Sequence, residues 1–167
     1  MYKSIFFLLF CLLSGGVMAS PVAQLNKVGE GEMNYLFWTL YHAQYYRGTV
    51  SEQDGNVSKQ ALKIRYLKSI DSQDLVDATI DQWQHLGYSK SDIAKWAAPL
   101  NTLWPDVEPG QTLTLVVKSG GESRFYFNDG FIGAINDTSF ADAFLSIWLS
   151  EKTSAPKLRK KLLGLAR

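Results

Sequence analysis

Between Leu25 and Gly48 the chain packs Tyr35, Phe37, Trp38, Tyr41, Tyr45 and Tyr46 into one stretch interrupted by few breakers beyond Gly29 and Gly31. Strict alternation sets Met33, Tyr35, Phe37, Thr39, Tyr41, Ala43 and Tyr45 on one face, and Leu36, Trp38, Leu40, His42, Gln44 and Tyr46 on the other. Both faces are partly apolar. Such a stretch suits a long bent strand or a strand pair, covered on one side. A polar connection from Thr49 to Ser58 leads to a further strand in Ala61 to Ile70, where Leu62, Ile64, Tyr66 and Lys68 share a face opposite Lys63, Arg65 and Leu67.

The period then changes from two to 3.6. Asp71 or Ser72 can cap a helix with Leu75, Val76, Thr79, Ile80, Trp83 and Leu86 on its apolar stripe and Gly87 as its stop. A second helix begins near Ser91 and buries Ile93, Trp96, Ala97, Leu100 and Leu103, with Pro99 inside it and a turn-rich exit from Trp104 to Gly110. Gln111 to Lys118, Glu122 to Phe127 and Phe131 to Ile135 form a meander with turns at Ser119-Gly120-Gly121 and Asn128-Asp129-Gly130. Asn136, Asp137 or Thr138 caps a helix carrying Phe140, Ala143, Phe144, Ile147 and Trp148. A last helix, capped by Thr153 or Ser154 with Pro156 in its first turn, carries Leu158, Leu162 and Leu163. Strands, helices, meander and helices, without regular βαβ alternation, predict an α+β fold.

The segment before this domain reads as an export signal. Lys3 precedes an apolar run from Ile5 to Leu13, and Val17 and Ala19 supply the small residues of a cleavage site after Ala19. The run is too short for a bilayer span, which takes about 20 residues. The expectation is a removed leader over 1–19, one domain over 20–167, no integral span after cleavage, and a periplasmic or secreted destination in a Gram-negative bacterium. Cys11, the only cysteine, lies within the leader, so the domain needs no disulfide in an oxidising compartment. The whole chain has 17 Lys and Arg against 16 Asp and Glu, and loss of Lys3 with the leader balances them. A neutral domain without a basic run lacks the electrostatic footprint of a nucleic-acid binder.

No catalytic constellation stands out. The domain has no cysteine nucleophile, G-x-S-x-G elbow, P-loop or dinucleotide fingerprint. His42 and His85 lack metal-ligand spacing, and Asp74, Asp77 and Asp81 read as a solvated helix face rather than a cation site. Neither a metal nor a cofactor is expected. The face bearing Tyr35, Phe37, Tyr41 and Tyr45 either lines an apolar pocket with hydroxyls placed to orient a head group, or forms a filled core under the helices. Arg65, within a strand and flanked by apolar residues, is the basic side chain best placed to be partly buried and to pair with a carboxylate, against the alternative of a surface ladder position, which strand placement favours.

Taken in order, several segments resemble the bacterial branch of the chalcone-isomerase-like family. They are Gly29-Glu30-Gly31-Glu32-Met33-Asn34-Tyr35-Leu36-Phe37-Trp38-Thr39-Leu40-Tyr41-His42-Ala43, Leu62-Lys63-Ile64-Arg65-Tyr66, Trp104-Pro105-Asp106-Val107 before Gly110, Phe125-Tyr126-Phe127-Asn128 with Ile132-Gly133, and Phe140 through Arg159. The resemblance implies an open-faced β-sandwich, an antiparallel sheet with helices layered on one face and a ligand cleft between them. Plant members of this kind either close a flavanone ring by intramolecular addition of a phenolate to an enone, or bind fatty acids. Both uses call for an arginine soon after the glycine-rich strand start, and here Met33 stands in its place; the isomerase threonine later in the strand corresponds to Tyr41.

A thioether supplies neither a cation nor a strong donor, and loss of such charge stabilisation costs on the order of 10²–10³ in rate. The resulting expectation is a non-catalytic binder of a hydrophobic small molecule such as a fatty acid, with Met33, Tyr35, Phe37, Tyr41, Tyr66 and Arg65 as ligand-binding candidates and no catalytic residue. The alternatives are an intramolecular lyase of the isomerase type using other residues, and a structural or partner-binding envelope domain.

Overall fold

A computed structural model describes residues 19–48 and 58–166. The leader expected over 1–19 lies, apart from Ala19, outside the described residues, as does most of the connection expected between Thr49 and Ser58. Among the described residues six strands, β1 (Asn26–Tyr35), β2 (Trp38–Arg47), β3 (Ser58–Tyr66), β4 (Thr112–Lys118), β5 (Ser123–Phe127) and β6 (Gly130–Ile135), pair in chain order as one antiparallel sheet. Helices α1 (Ser72–His85) and α2 (Lys90–Leu103) are inserted between β3 and β4, and α3 (Thr138–Leu149) and α4 (Pro156–Leu162) follow β6. The architecture is α+β, as the pattern predicts, in the open-faced sandwich arrangement that the resemblance implies.

One face of the sheet carries the core. Alternation along β3 buries Leu62, Ile64 and Tyr66, and their neighbours Ala43 and Tyr45 from β2, Leu113, Leu115 and Val117 from β4 and Phe125 from β5 point the same way. Helix stripes close over them: Leu75, Val76 and Trp83 from α1, Trp96 and Leu100 from α2, and Phe140, Phe144 and Trp148 from α3. Trp83, fully buried, is wedged among Trp96, Phe140 and Phe144 at ring separations of 5.5–6.5 Å. Its indole N–H donates to the Ala143 carbonyl at 2.9 Å, so this large ring is buried without an orphaned donor.

The helix starts show where local signals were supplemented from afar. Ser89 accepts from the Asp92 N–H and caps α2, and Asp137 accepts from the Ser139 N–H and caps α3. Asp71 precedes α1 with no side-chain cap of its own; instead Asp106, from the turn after α2, accepts from the Ser72 N–H at 2.8 Å. At α4 the cap position falls on Ala155 rather than Thr153 or Ser154, and Thr153 is buried, donating to the Ile147 carbonyl at 2.6 Å and accepting from the Ala155 N–H.

Gly29 and Gly31 let α4 lie directly on β1. A Cβ at 29 would collide with the carbonyl oxygen of Lys161, and one at 31 would sit 2.8 Å from Leu158 Cδ1. The opposite sheet face is partly covered by a small cluster of Val22, Ala61 and Val116, against which Leu25, Tyr46 and Tyr126 pack. Among the described residues no helix is long and apolar enough to cross a membrane.

Candidate functional site

Between the sheet and the helices lies a cavity of about 190 Å³. Met33, Tyr41, Leu62, Tyr66 and Phe125 form its sheet wall, and Leu75, Thr79, Phe144, Ile147 and Trp148 form its helix wall. Asp74, Ala78 and Ser154, exposed residues that also border it, mark its mouth between α1 and the turn leading into α4.

The polar groups bordering this cavity are the hydroxyls of Tyr41, Tyr66, Thr79 and Ser154, together with Asp74, Gln82 and the indoles of Trp104 and Trp148. Tyr41 and Tyr66 are Cα partners across β2 and β3, and their rings meet edge to face with centroids 6.0 Å apart. Tyr41 accepts a hydrogen bond from the Trp148 indole at 2.9 Å, whereas the Tyr66 hydroxyl has no partner among the described residues. Loss of water around the ring pushes the Tyr41 phenol up to about 12, against a smaller opposing pull from Trp148, and burial pushes Tyr66 up as well, with Tyr41 adding to it. Both phenols are therefore neutral near pH 7. Thr79 spends its hydroxyl on the Leu75 carbonyl at 2.8 Å, and Gln82 accepts from Ser154. Among the described residues Asp74 is the one ionisable carboxyl bordering the cavity, and no Lys, Arg or His does.

Of the residues expected to meet a ligand, Met33, Tyr41 and Tyr66 come together in this wall, and Met33 is the Cα partner of Tyr41. Tyr35, Phe37 and Arg65 lie outside it. Tyr35 is 65% and Phe37 99% exposed, because the chain turns back at Leu36, whose φ is 53°, and carries this hairpin tip away from the core cluster. Alternation is also broken: the pairing passes from Met33 with Tyr41 to Asn34 with Thr39, leaving Leu40 as an extra residue in β2. That bulge lets consecutive residues Leu40 and Tyr41 both border the cavity. Arg65 follows strand parity to the opposite face and is exposed, which is the surface ladder position rather than the partly buried one. There it borders a polar concavity with His42, Gln44, Lys63, Gly110 and Thr112. Lys63 is paired with Asp129 at 3.0 Å, and His42 Nδ1 lies 3.4 Å from Glu32.

The helix wall was legible only as helical stripe. Leu75, Thr79, Ile147 and Trp148 fall on apolar helix positions, but nothing local to either helix signals that they face a gap rather than a filled core. Trp104 also borders the cavity and is buried with its indole N–H lacking an acceptor. Among the described residues no group of three or more His, Cys, Asp or Glu side chains could hold a metal ion. The arrangement offers shape, apolar surface and neutral hydroxyls.

Residues 22–164 match the family model described as chalcone isomerase-like. A Haemophilus influenzae protein described as uncharacterized is 25% identical over 162 residues, spanning 97% of this chain and 77% of that protein. Among solved structures, an Arabidopsis thaliana fatty-acid binding protein superposes with a TM-score of 0.64 at 12% identity, covering 87% of this chain and 89% of that one. That likeness concerns the fold, and the family follows from the match over most of the chain: this protein belongs to the chalcone isomerase-like family.

Proposed function

We propose that this protein is an exported, non-catalytic member of its family that holds a hydrophobic small molecule, a fatty acid or related acyl chain, in the cavity between sheet and helices. The observation that carries the reading is the cavity's composition: an apolar enclosure with neutral hydroxyls and, among the described residues, no basic side chain on its wall. Ring closure through a phenolate needs a donor or cation aimed at the developing charge. Met33 supplies neither, and Arg65 is on the far face of the sheet. The fatty-acid binding protein of similar fold supports the acyl-chain assignment. Met33, Tyr41 and Tyr66 are the ligand contacts in this reading, and the periplasm is its compartment, on the strength of the leader pattern.

Native mass spectrometry of protein gently extracted from its host tests the proposal. A mass increment matching an acyl-chain compound, lost on organic extraction, is the expected result. Protein that carries no such increment and takes up no fatty acid or flavonoid overturns it. Turnover of a chalcone above background would replace it with the isomerase reading, and osmotic-shock fractionation checks the compartment.

A further inference from the structure

The cavity's electrostatics say more about its guest than its apolar walls do. Among the described residues the wall contains no cation to compensate a bound carboxylate, and the one ionisable carboxyl on its border, Asp74, has the same sign. A charge moved from water into such a wall is disfavoured unless it is paired, and an acid placed there takes up a proton instead. The hydrogen-bonding capacity left over suits a neutral group. Tyr41 already accepts from Trp148, so its own O–H is available to donate; Tyr66 can donate and accept. A ligand hydroxyl, carbonyl or protonated carboxyl matches that pair.

Resting on the binder reading, we infer that the cavity selects amphiphiles whose polar end is uncharged, an alcohol, an amide or a protonated acid held by the hydroxyls of Tyr41 and Tyr66, and discriminates against the carboxylate form. Size narrows the class further. An apolar cavity of about 150 Å³ accepts a benzene-sized guest, so 190 Å³ encloses about seven or eight heavy atoms. The rest of a longer chain passes out through the mouth beside Asp74 and Ser154.

Titration of the ¹⁵N-labelled protein with 1-hexanol and with hexanoate between pH 5.5 and 8, following the Trp148 indole N–H by NMR, tests this. The expected result is a hexanol affinity that is flat across the range, and a hexanoate affinity that falls about tenfold for each pH unit above the acid's own pKa. Tyr66→Phe, checked for an unchanged circular-dichroism spectrum, should lower the ratio of hexanol to toluene affinity roughly three- to tenfold, the size of one net hydrogen bond. Met33→Arg should restore hexanoate binding at pH 8. Hexanoate binding as tightly as hexanol at pH 8, or without pH dependence, overturns the inference while leaving the protein a binder. Failure of hexanol, hexanoate and toluene alike to shift any cavity resonance overturns the binder reading, and the inference with it.

Discussion

The indole N–H of Trp148 in α3 donates to the hydroxyl of Tyr41 in β2 at 2.9 Å, bridging the helix and sheet walls of the cavity. Tyr41→Phe keeps the ring and its edge-to-face contact with Tyr66 but leaves the Trp148 donor without its acceptor. An unsatisfied group at a partly buried site costs about 1–3 kcal/mol, and urea unfolding should register a loss of that size with an unchanged slope. In the Tyr41→Phe, Trp148→Phe double variant the two losses should fall short of additive by about 1 kcal/mol, as expected for residues that share one bond. Additive losses would place the stabilising effect in packing instead.

The glycine pair at the start of β1 sets how closely α4 approaches the sheet. Gly29→Ala drives a methyl into the Lys161 carbonyl, a backbone atom that cannot swing aside. Separation of α4 from β1 should cost about 1–3 kcal/mol, the usual range for overpacking. Gly87→Ala provides the contrast. A Cβ there meets nothing within 4 Å, so only the positive φ of 85° is penalised, by about 1–2 kcal/mol. Gly29→Ala should increase hydrogen exchange in α4, whereas Gly87→Ala should leave α4 protected.

These glycines also show what was legible from the chain alone. Changes of period between residues 58 and 72, the Ser119-Gly120-Gly121 and Asn128-Asp129-Gly130 turns and the capping residue Asp137 are local signals, and the elements follow from them, whereas the cap of α2 falls on Ser89, two residues before the expected start near Ser91. The first hairpin is different. Its turn at Leu36 uses a non-glycine residue at positive φ, with no Asn-Gly or Asp-Gly pair to announce it. Alternation carried through that turn and through the bulge at Leu40 therefore placed Tyr35 and Phe37 beside Tyr41. Side-chain parity is reliable only while register holds, and one extra residue reverses it. The cavity was illegible for a further reason: Tyr41 and Trp148 are 107 residues apart, and their contact is a property of the assembled layers.

The same geometry separates two kinds of candidate ligand contact. Phe37→Ser changes a side chain that is 99% exposed, so stability should stay within about 0.5 kcal/mol and affinity for an apolar guest should not change. Met33→Ala acts on the cavity wall itself, enlarging the space and removing apolar contact. It should change guest affinity severalfold and lower stability by about 2 kcal/mol or less, since the residue is only partly buried. Isothermal titration with toluene distinguishes the two. Loss of binding in Phe37→Ser would instead bring the hairpin tip into the site.

Acid sensitivity should centre on Asp137. One of its oxygens accepts from the Ser139 N–H at 3.0 Å and the Ser139 hydroxyl at 2.6 Å, and the other lies 2.6 Å from Lys95 Nζ. The bond from Lys95, followed by those from Ser139, pulls its carboxyl down to about 2 from an ordinary 3.8. A folded-state value below the unfolded one means that the unfolded chain binds the proton first. The stabilisation is therefore complete above about pH 4 and is lost as pH falls toward 2. Asn at this position retains the capping oxygen but not the charge. Thermal unfolding of the wild type and Asp137→Asn should show the wild type ahead at pH 6 and the gap closing between pH 4 and 2. A gap of constant size across that interval would assign Asp137's contribution to capping geometry rather than to its ion pair with Lys95.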